Sequence, residues 1–378
     1  MWQSLHDAWW RLATQSQPHS FTDALAVSAL QTGSWVYRAA VSLRNAAYDR
    51  GCLRPVRLPC RVVSVGNLTV GGTGKTACVE LITRKLTTAG RRPAVLSRGY
   101  GGRRATYWLR SDGATLLVNG EPPAALDGLA DEPQLLARHL PEIPVLVGAR
   151  RDQTGRQACE AFGVDTVVLD DGFQHRRLAR DCNIVLLHAR TPFGGWHLLP
   201  RGPMREPMSA LRRADVIIIT KADEALEQLA ALTERLRAVA PEADVLTAAH
   251  EPAALTDGTT GQALGLGRLD GARVALVSSI GDPVGFEATV KRLHASALWH
   301  HTLPDHHRYR PADWAALLER CRGLKPDALV TTEKDWVRLQ PVFAPVGGSL
   351  PVWVLGIRMK LLTGDALLDA RLARLHAR

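Results

Sequence analysis

An α/β fold, a doubly wound and mostly parallel sheet domain followed by a second, smaller α/β domain, is predicted by three observations on this sequence. First, the apolar run Val62-Val63-Ser64-Val65 leads into Gly66-Asn67-Leu68-Thr69-Val70-Gly71-Gly72-Thr73-Gly74-Lys75-Thr76, and a helical pattern, Ala77-Cys78-Val79-Glu80-Leu81-Ile82-Thr83, follows. That is a strand, a glycine-rich loop and a helix start. Second, continuous β-branched runs recur at 93–97, 145–147, 166–169, 183–187 and 216–220, with helix-like stretches at 76–88, 133–139 and 153–162 between several of them. Runs of that kind belong to parallel strands covered on both faces, and their alternation with helices builds repeated βα units. Third, the composition turns polar and glycine-rich over Glu251–Gly261 and a fresh strand begins at Arg273. The expected organisation is an N-terminal helical segment over 1–50, a nucleotide-binding domain over 51–255 and a smaller domain over 256–378.

The N-terminal segment is helical in composition from Thr22 to Arg44, and Leu25, Leu30, Tyr37 and Val41, continued by Arg44 or Tyr48, fall near one broad stripe. With Trp2, Trp9 and Trp10 ahead of it and Arg38, Arg44 and Arg50 within it, this amphipathic helix suits a membrane interface. Periodicity alone allows equally a helix packed on its own domain. No stretch reaches the roughly 18 uncharged apolar residues that a spanning helix needs. The opening Met1–Arg11 lacks a basic region followed by an apolar core, so the expected location is the cytosol or the cytosolic face of its membrane.

A chain of 378 residues with 46% hydrophobic content can bury two cores and is not a disordered tail. Its formal net charge of +10 and pI of about 9.7 favour an anionic partner. The arginines are spread along the chain in pairs such as Arg91-Arg92 and Arg212-Arg213, without the block of a nucleic-acid arm; no nucleic-acid partner is expected. The six cysteines show neither C-x-x-C spacing nor a zinc-completing histidine cluster, and are expected as reduced thiols.

The chemistry begins at the glycine loop. Glycines let successive N–H groups turn toward one anion, Lys75 can reach the β/γ-phosphates of a nucleoside triphosphate, and the Thr76 hydroxyl can ligate Mg²⁺. The expected P-loop cradle is Thr69, Val70, Gly71, Gly72, Thr73, Gly74, Lys75 and Thr76. Thr69 stands where the strict G-x-x-x-x-G-K-[ST] pattern has glycine. Val167-Val168-Leu169-Asp170-Asp171-Gly172 is an apolar strand ending in two carboxylates, the form of a metal-holding Walker B element, and either Asp170 or Asp171 could lie nearer the metal. Asp131-Glu132-Pro133 opens a helix, where Asp131 suits an N-cap or a base accepting a hydroxyl proton. Asp305-His306-His307-Arg308 is a dense ionisable cluster, and Gln174-His175 and Arg201 to Pro207 offer polar rims. Thr220-Lys221-Ala222-Asp223 resembles the guanine-reading N-K-x-D element, keeping open a P-loop GTPase or metallochaperone with no lipid acceptor.

Together with Ser97-Arg98-Gly99-Tyr100-Gly101-Gly102, Arg205-Glu206-Pro207 and Thr332-Glu333-Lys334-Asp335, these motifs resemble, in order along most of the chain, the tetraacyldisaccharide 4′-kinases of bacterial lipid A biosynthesis. In that family the missing first glycine is part of the pattern. The resemblance implies transfer of the ATP γ-phosphoryl group to the 4′-hydroxyl of a tetraacylated disaccharide 1-phosphate, giving lipid IVA, with Mg²⁺ required. It implies a peripheral or monotopic enzyme at the cytoplasmic face of the inner membrane, with residues 1–50 touching the bilayer. It further implies Asp131 as the base with His306, or else His307, as its partner, Lys75 on the phosphates, and Thr76 with Asp170 or Asp171 on the metal. Glu132, Gln174, His175, Arg205 and Glu206 follow as metal-, nucleotide- or substrate-contacting groups.

Overall fold

The computed structural model describes Trp9, residues 20–100, 102, 105–113, 115–123, 128–346 and 350–377; Trp2, Trp10 and Gly101 lie outside the described residues. Among the described residues fourteen strands form one sheet. At its centre β1 (Arg61–Asn67) lies between β6 (Thr166–Asp170) and β7 (Cys182–His188), parallel to both, with Val65 opposite Asp170. Outward on one side come β2 (Pro93–Ser97) and β5 (Val145–Val147), then the antiparallel edge pair β3 (Tyr107–Ser111) and β4 (Leu116–Val118). On the other side β8 (Val216–Thr220) and β9 (Asp244–Asp257) continue the parallel block, and β10 (Ala263–Leu264) pairs with the end of β9.

The second half adds its own parallel block: β11 (Arg273–Ser278), β12 (Ser296–Thr302), β13 (Ala328–Thr332) and β14 (Val352–Thr363). It joins the first through the long antiparallel pairing of β14 with β9. The composition change near residue 255 therefore falls inside β9, a strand shared by both halves.

The helices cover both faces, as the unbroken apolar runs require. Val63 and Val65 of β1 pack with Cys78, Val79, Ile82 and Leu86 of α2 (Lys75–Thr88), while Val62 faces Ala94, Leu96 and Leu169 on the opposite side. Each such fully buried aliphatic side chain contributes roughly 1.5–3 kcal/mol. The second half repeats the arrangement. Val274 and Leu276 meet Phe286 and Val290 of α6 (Pro283–Arg292), and Ala275 and Val277 meet Trp314 of α7 (Pro311–Leu324) and Leu339 of α8 (Glu333–Val346). The remaining helices are α3 (Asp131–His139), α4 (Arg151–Phe162), α5 (Leu226–Val239) and the C-terminal α9 (Asp365–Arg374).

The N-terminal α1 (Phe21–Asp49) is capped by Ser20, whose hydroxyl accepts from the Asp23 N–H at 3.0 Å. One face docks on the first half. The Ser34 hydroxyl donates to the Leu198 carbonyl at 2.9 Å, the Tyr37 hydroxyl donates to the Arg205 carbonyl at 2.9 Å, and Val41 is buried. The other face leaves Leu25, Trp35, Val36 and Leu43 more than half exposed. The stripe read from periodicity thus divides: Tyr37 and Val41 belong to the docked face, and Leu25 to the exposed one. Among the described residues no helix is long and apolar enough to cross a membrane.

Candidate active site

The loop between β1 and α2 is braced from below. The Asn67 amide donates to the Thr73 hydroxyl at 2.9 Å, Val70 N–H donates to the Pro203 carbonyl at 2.8 Å and Arg205 N–H donates to the Leu68 carbonyl at 2.7 Å. Thr69 pairs as an isolated bridge with Met204 and has no positive φ, so a side chain is tolerated where the strict pattern has glycine. Gly71 and Gly74 carry the turn, with φ of +114° and +83°. Gly74 precedes α2 with no side-chain cap, which leaves the first-turn N–H groups and the helix dipole for an anion. A Cβ on Gly74 would also strike the ring of His250, at 2.4 Å from Nε2.

At the end of β6 the two carboxylates part. Asp171 has a φ of +53°, uncommon for a residue with a Cβ, and takes both its hydrogen bonds from one guanidinium nitrogen of Arg205, at 2.8 and 2.7 Å. Burial opposes its ionisation, but Lys75 and Arg205 outweigh it and hold its pKa below the ordinary value. Asp170 has only the Ser97 hydroxyl, at 3.1 Å, as side-chain partner. Burial, reinforced by the charges of Glu132 and Asp171, pushes its pKa up to about 6. Buried Arg151 spans the carbonyls of both, at 2.6 Å to Asp170 and 3.0 Å to Asp171. Lys75 is pulled below its ordinary pKa by burial, with Asp171, Asp170 and Glu132 acting against that.

Asp131 is not an N-cap. Ala130 occupies that position, and Asp131 is the first residue of α3, with its side chain buried and directed at the second half. Its Oδ2 lies 3.3 Å from His306 Nδ1 and 3.4 Å from Arg338 Nε, yet makes no well-formed hydrogen bond to either. Burial would raise its pKa, but His306, Lys334 and Arg338 outweigh that and hold the carboxyl well below the usual range. His306 is raised, chiefly by Asp131. His307 lies elsewhere, with Nε2 3.0 Å from Asp313.

His306 sits in the left-handed region, φ +62°, and its N–H donates to the Ser279 carbonyl at 3.2 Å. Ser279 is in turn held by buried Asp335, whose Oδ1 accepts from the Ser279 N–H at 3.0 Å, from Ser279 Oγ and Tyr309 Oη, and from Arg338 at 3.0 Å. Such a tethered, sparsely populated backbone clusters at functional sites. Lys334 and Arg338, one turn apart on α8, were not assigned roles from sequence. Their i,i+4 spacing was the available signal.

The ligand atoms of Asp131, Glu132 and His306 lie within 4.8 Å of one another, a separation that could also hold a cation. Lys334 Nζ already stands there, 3.1 Å from Glu132 and 3.3 Å from His306 Nε2. Asp170, its pKa raised chiefly by burial and its carboxylate not occupied by an ammonium, is the group whose charge a divalent ion could offset.

The rim residues divide. Gln174 donates to the Asn67 carbonyl at 2.9 Å, beside the loop. His175 has its pKa lowered to about 4 by burial and by Arg151 and Arg180. Glu206, expected as a contact group, is fully buried under α1 between Arg213 at 2.6 Å, Asn45 at 2.9 Å and Arg44 at 3.3 Å, contacts that tie the helix to the first half. Lys221 is in close contact with Asp282, and Asp223 pairs with Arg292 at 3.3 Å. The would-be guanine reader is spent on ion pairs joining the two halves. These halves also meet at the loop itself, where a Cβ on Gly281 would come within 3.2 Å of Gly72 N.

An anion cradle with a buried lysine, in one fold with a buried carboxylate set against a histidine and an arginine, is equipped to move a phosphoryl group onto a hydroxyl. The fold and site define a P-loop phosphotransferase. A family model described as tetraacyldisaccharide-1-P 4′-kinase matches residues 26–376. The chain is 45% identical over 370 residues to a tetraacyldisaccharide 4′-kinase of Anaeromyxobacter dehalogenans, covering 98% of this chain and 94% of that one. It is 44% identical over 340 residues to the enzyme so named in Syntrophus aciditrophicus, covering 88% of each. A crystal structure of LpxK from Aquifex aeolicus in complex with ATP superimposes with a TM-score of 0.70 at 28% identity, covering 93% of this chain and 99% of that one. The chain belongs to the tetraacyldisaccharide 4′-kinase family.

Proposed function

We propose that Asp131 takes the proton of the 4′-hydroxyl of a tetraacyldisaccharide 1-phosphate as the γ-phosphoryl group of ATP passes to that oxygen, giving lipid IVA. The reaction is the family's. The assignment of roles rests on one observation above all: the buried Oδ2 of Asp131 lies 3.3 Å from His306 Nδ1 and 3.4 Å from Arg338 Nε, both brought from the second half. His306 and Arg338 hold it anionic and oriented. In a loose phosphoryl-transfer transition state the hydroxyl proton leaves late, so orientation counts for more than basicity. Lys75 and the uncapped amides of α2 neutralise the β/γ-phosphates. Asp170 and Thr76 would hold Mg²⁺, which supplies charge neutralisation on the phosphate oxygens when bound. Arg205 and Arg151 fix the strand end that carries Asp170. The two halves act as lobes whose closure assembles Asp131 and His306 into one site.

Membrane contact follows from α1. Its exposed Leu25, Trp35, Val36 and Leu43 would enter the interface of the inner membrane at its cytoplasmic face, while Ser34, Tyr37 and Arg44 keep the helix on the enzyme. The positive net charge favours both anionic lipid and the substrate phosphate. The acyl chains can then stay in the bilayer while the sugar enters the cleft.

Incubation with γ-labelled ATP, Mg²⁺ and the disaccharide lipid in detergent should place label in the lipid. Label released only as free phosphate, with preference for GTP, would overturn the reading. Magnesium affinity carries its own expectation. Asp170 must be ionised to bind the cation, and its raised pKa means protons compete as the pH falls through about 6. Below that pH Mg²⁺ affinity should fall by about tenfold per unit. Titration calorimetry of wild type against Asp170→Asn, which should bind weakly with little pH dependence, checks it. The same raised pKa means that ionising Asp170 costs the fold stability, a cost that disappears as the pH falls below about 6.

A further inference from the structure

His139 closes α3 and lies far along the helix from Asp131, outside every role assigned above. Both its ring nitrogens meet carboxylates from other helices: Nδ1 is 2.8 Å from Glu80 of α2 and Nε2 is 3.0 Å from Glu333 of α8. An imidazole facing carboxylates through both nitrogens donates through both only when it carries a proton on each. Its place in the last turn of α3 also favours a cation. The three helices joined here are those whose first turns build the site. α2 begins with Lys75, α3 with Asp131, and α8 with Glu333 followed by Lys334 and, one turn on, Arg338.

We infer that His139 is a positioning residue whose double ion pair with Glu80 and Glu333 sets the second half, and with it Lys334, Arg338 and the His306 loop, at working distance from Asp131. Glu333 and Lys334 are neighbours in sequence, and both reach across to α3, Glu333 to His139 and Lys334 to Glu132 at 3.1 Å. The clamp and the site therefore close in one movement. Gly356 of β14 lies beside the Glu333 carboxylate, where a Cβ would come within 2.7 Å of Oε1, so the glycine leaves room for Glu333 to reach His139.

The charged groups around the imidazole are Glu80 and Arg84 of α2, Arg138 of α3 itself, Glu333 of α8 and Arg358 of β14. Arg84 pairs with Glu80 at 2.9 Å, and its other nitrogen donates to the His139 carbonyl at 2.5 Å; Arg138 and Arg358 border the same cavity. Burial opposes the charge on His139, but Glu333 and Glu80 outweigh it and push its pKa up to about 9, so the clamp is set throughout the neutral range.

The inference rests on the kinase reading, and its test separates the two. Turnover of the disaccharide lipid and binding of ATP are measured for His139→Gln, Glu333→Gln, the double variant and His139→Arg. A glutamine donates from a single nitrogen, where the imidazolium donates from two on opposite sides of the ring, and it carries no charge. Each single variant should lower kcat by about 10- to 100-fold, the scale of a small misplacement of the reacting groups, while the ATP Kd changes by less than about twofold. The double variant should lose no more than the worse single one, because the two residues form one contact. His139→Arg, a permanent cation with a forked head, should recover most of kcat and remove any loss of activity above about pH 9 that belongs to the imidazole. Single effects that multiply in the double variant, or a His139→Gln enzyme with a lower unfolding midpoint but wild-type kcat at low temperature, would overturn the inference. Absence of lipid phosphorylation by the wild type would instead sink the kinase reading.

Discussion

Replacing Asp131 by asparagine will lower kcat by about 10²- to 10⁴-fold, the range of general-base contributions, with the Kd for ATP nearly unchanged. Asparagine keeps the shape of the side chain but not the charge that Oδ2 places beside His306 and Arg338. On the proposed roles ATP sits on the loop after β1 and the start of α2, away from Asp131, so binding and turnover should separate. An aspartate acting only to start α3 would behave differently, because its loss would lower stability and disturb both parameters together. The partner is tested alongside. His306→Ala should reproduce most of the loss because it removes a group 3.3 Å from Asp131, whereas His307→Ala removes only a contact with Asp313. Loss of turnover in His307→Ala with His306→Ala intact would reverse the pairing. Steady-state kinetics with the disaccharide lipid and nucleotide titration by calorimetry supply both readouts.

Lys75→Met will cost turnover by about 10²- to 10³-fold, the scale for removing one charge-stabilising donor from a transition state, and unlike Asp131→Asn it will also weaken ATP binding. In its proposed role the ammonium would face phosphate in the bound ground state as well as in transfer, so the loss should appear in both parameters. In the nucleotide-free enzyme its burial already pulls the pKa below the ordinary value, so the buried charge costs the empty fold stability that the nearby carboxylates do not wholly return. The unfolding midpoint of Lys75→Met should therefore not fall, and a large fall would mean that the lysine supports the fold rather than the phosphates. Differential scanning fluorimetry beside the kinetics decides it.

Much of the first half is legible in the sequence. The runs at Val62, Val95, Val145, Val167, Ile184 and Val216 are buried strands of one parallel block, because a strand covered on both faces has no polar alternation to hide it. The P-loop was legible despite Thr69, since its glycines are demanded locally: Gly71 and Gly74 have positive φ, and the position before them does not. Local helix signals misplaced one group. Asp131 looks like a cap because acids favour the first turn of any helix, and only the chain packed against α3 shows that its carboxylate is turned to the second half. The placement of Glu206 is hidden for a similar reason, since motif membership does not say whether a side chain faces a cleft or the underside of α1.

The sequence by itself determined what is written in local chemistry: the α/β class, the phosphate loop with Lys75 and Thr76, the acid pair ending β6, and the ordered motifs of the lipid kinase family. Those features depend on residues close together in the chain, where spacing is nearly equivalent to geometry. The tertiary structure decided which groups meet across long intervals. It set His306 rather than His307 against Asp131, gave Asp171 to Arg205 and left Asp170 short of counter-charge, and split the apolar residues of α1 between a docked face and an open one. It also placed Lys334, Arg338 and the His139 clamp at the junction of the halves. Electrostatic interactions act through space and depend on burial, so a carboxylate's pKa and partner are fixed by chain segments nearly two hundred residues away that no local pattern specifies.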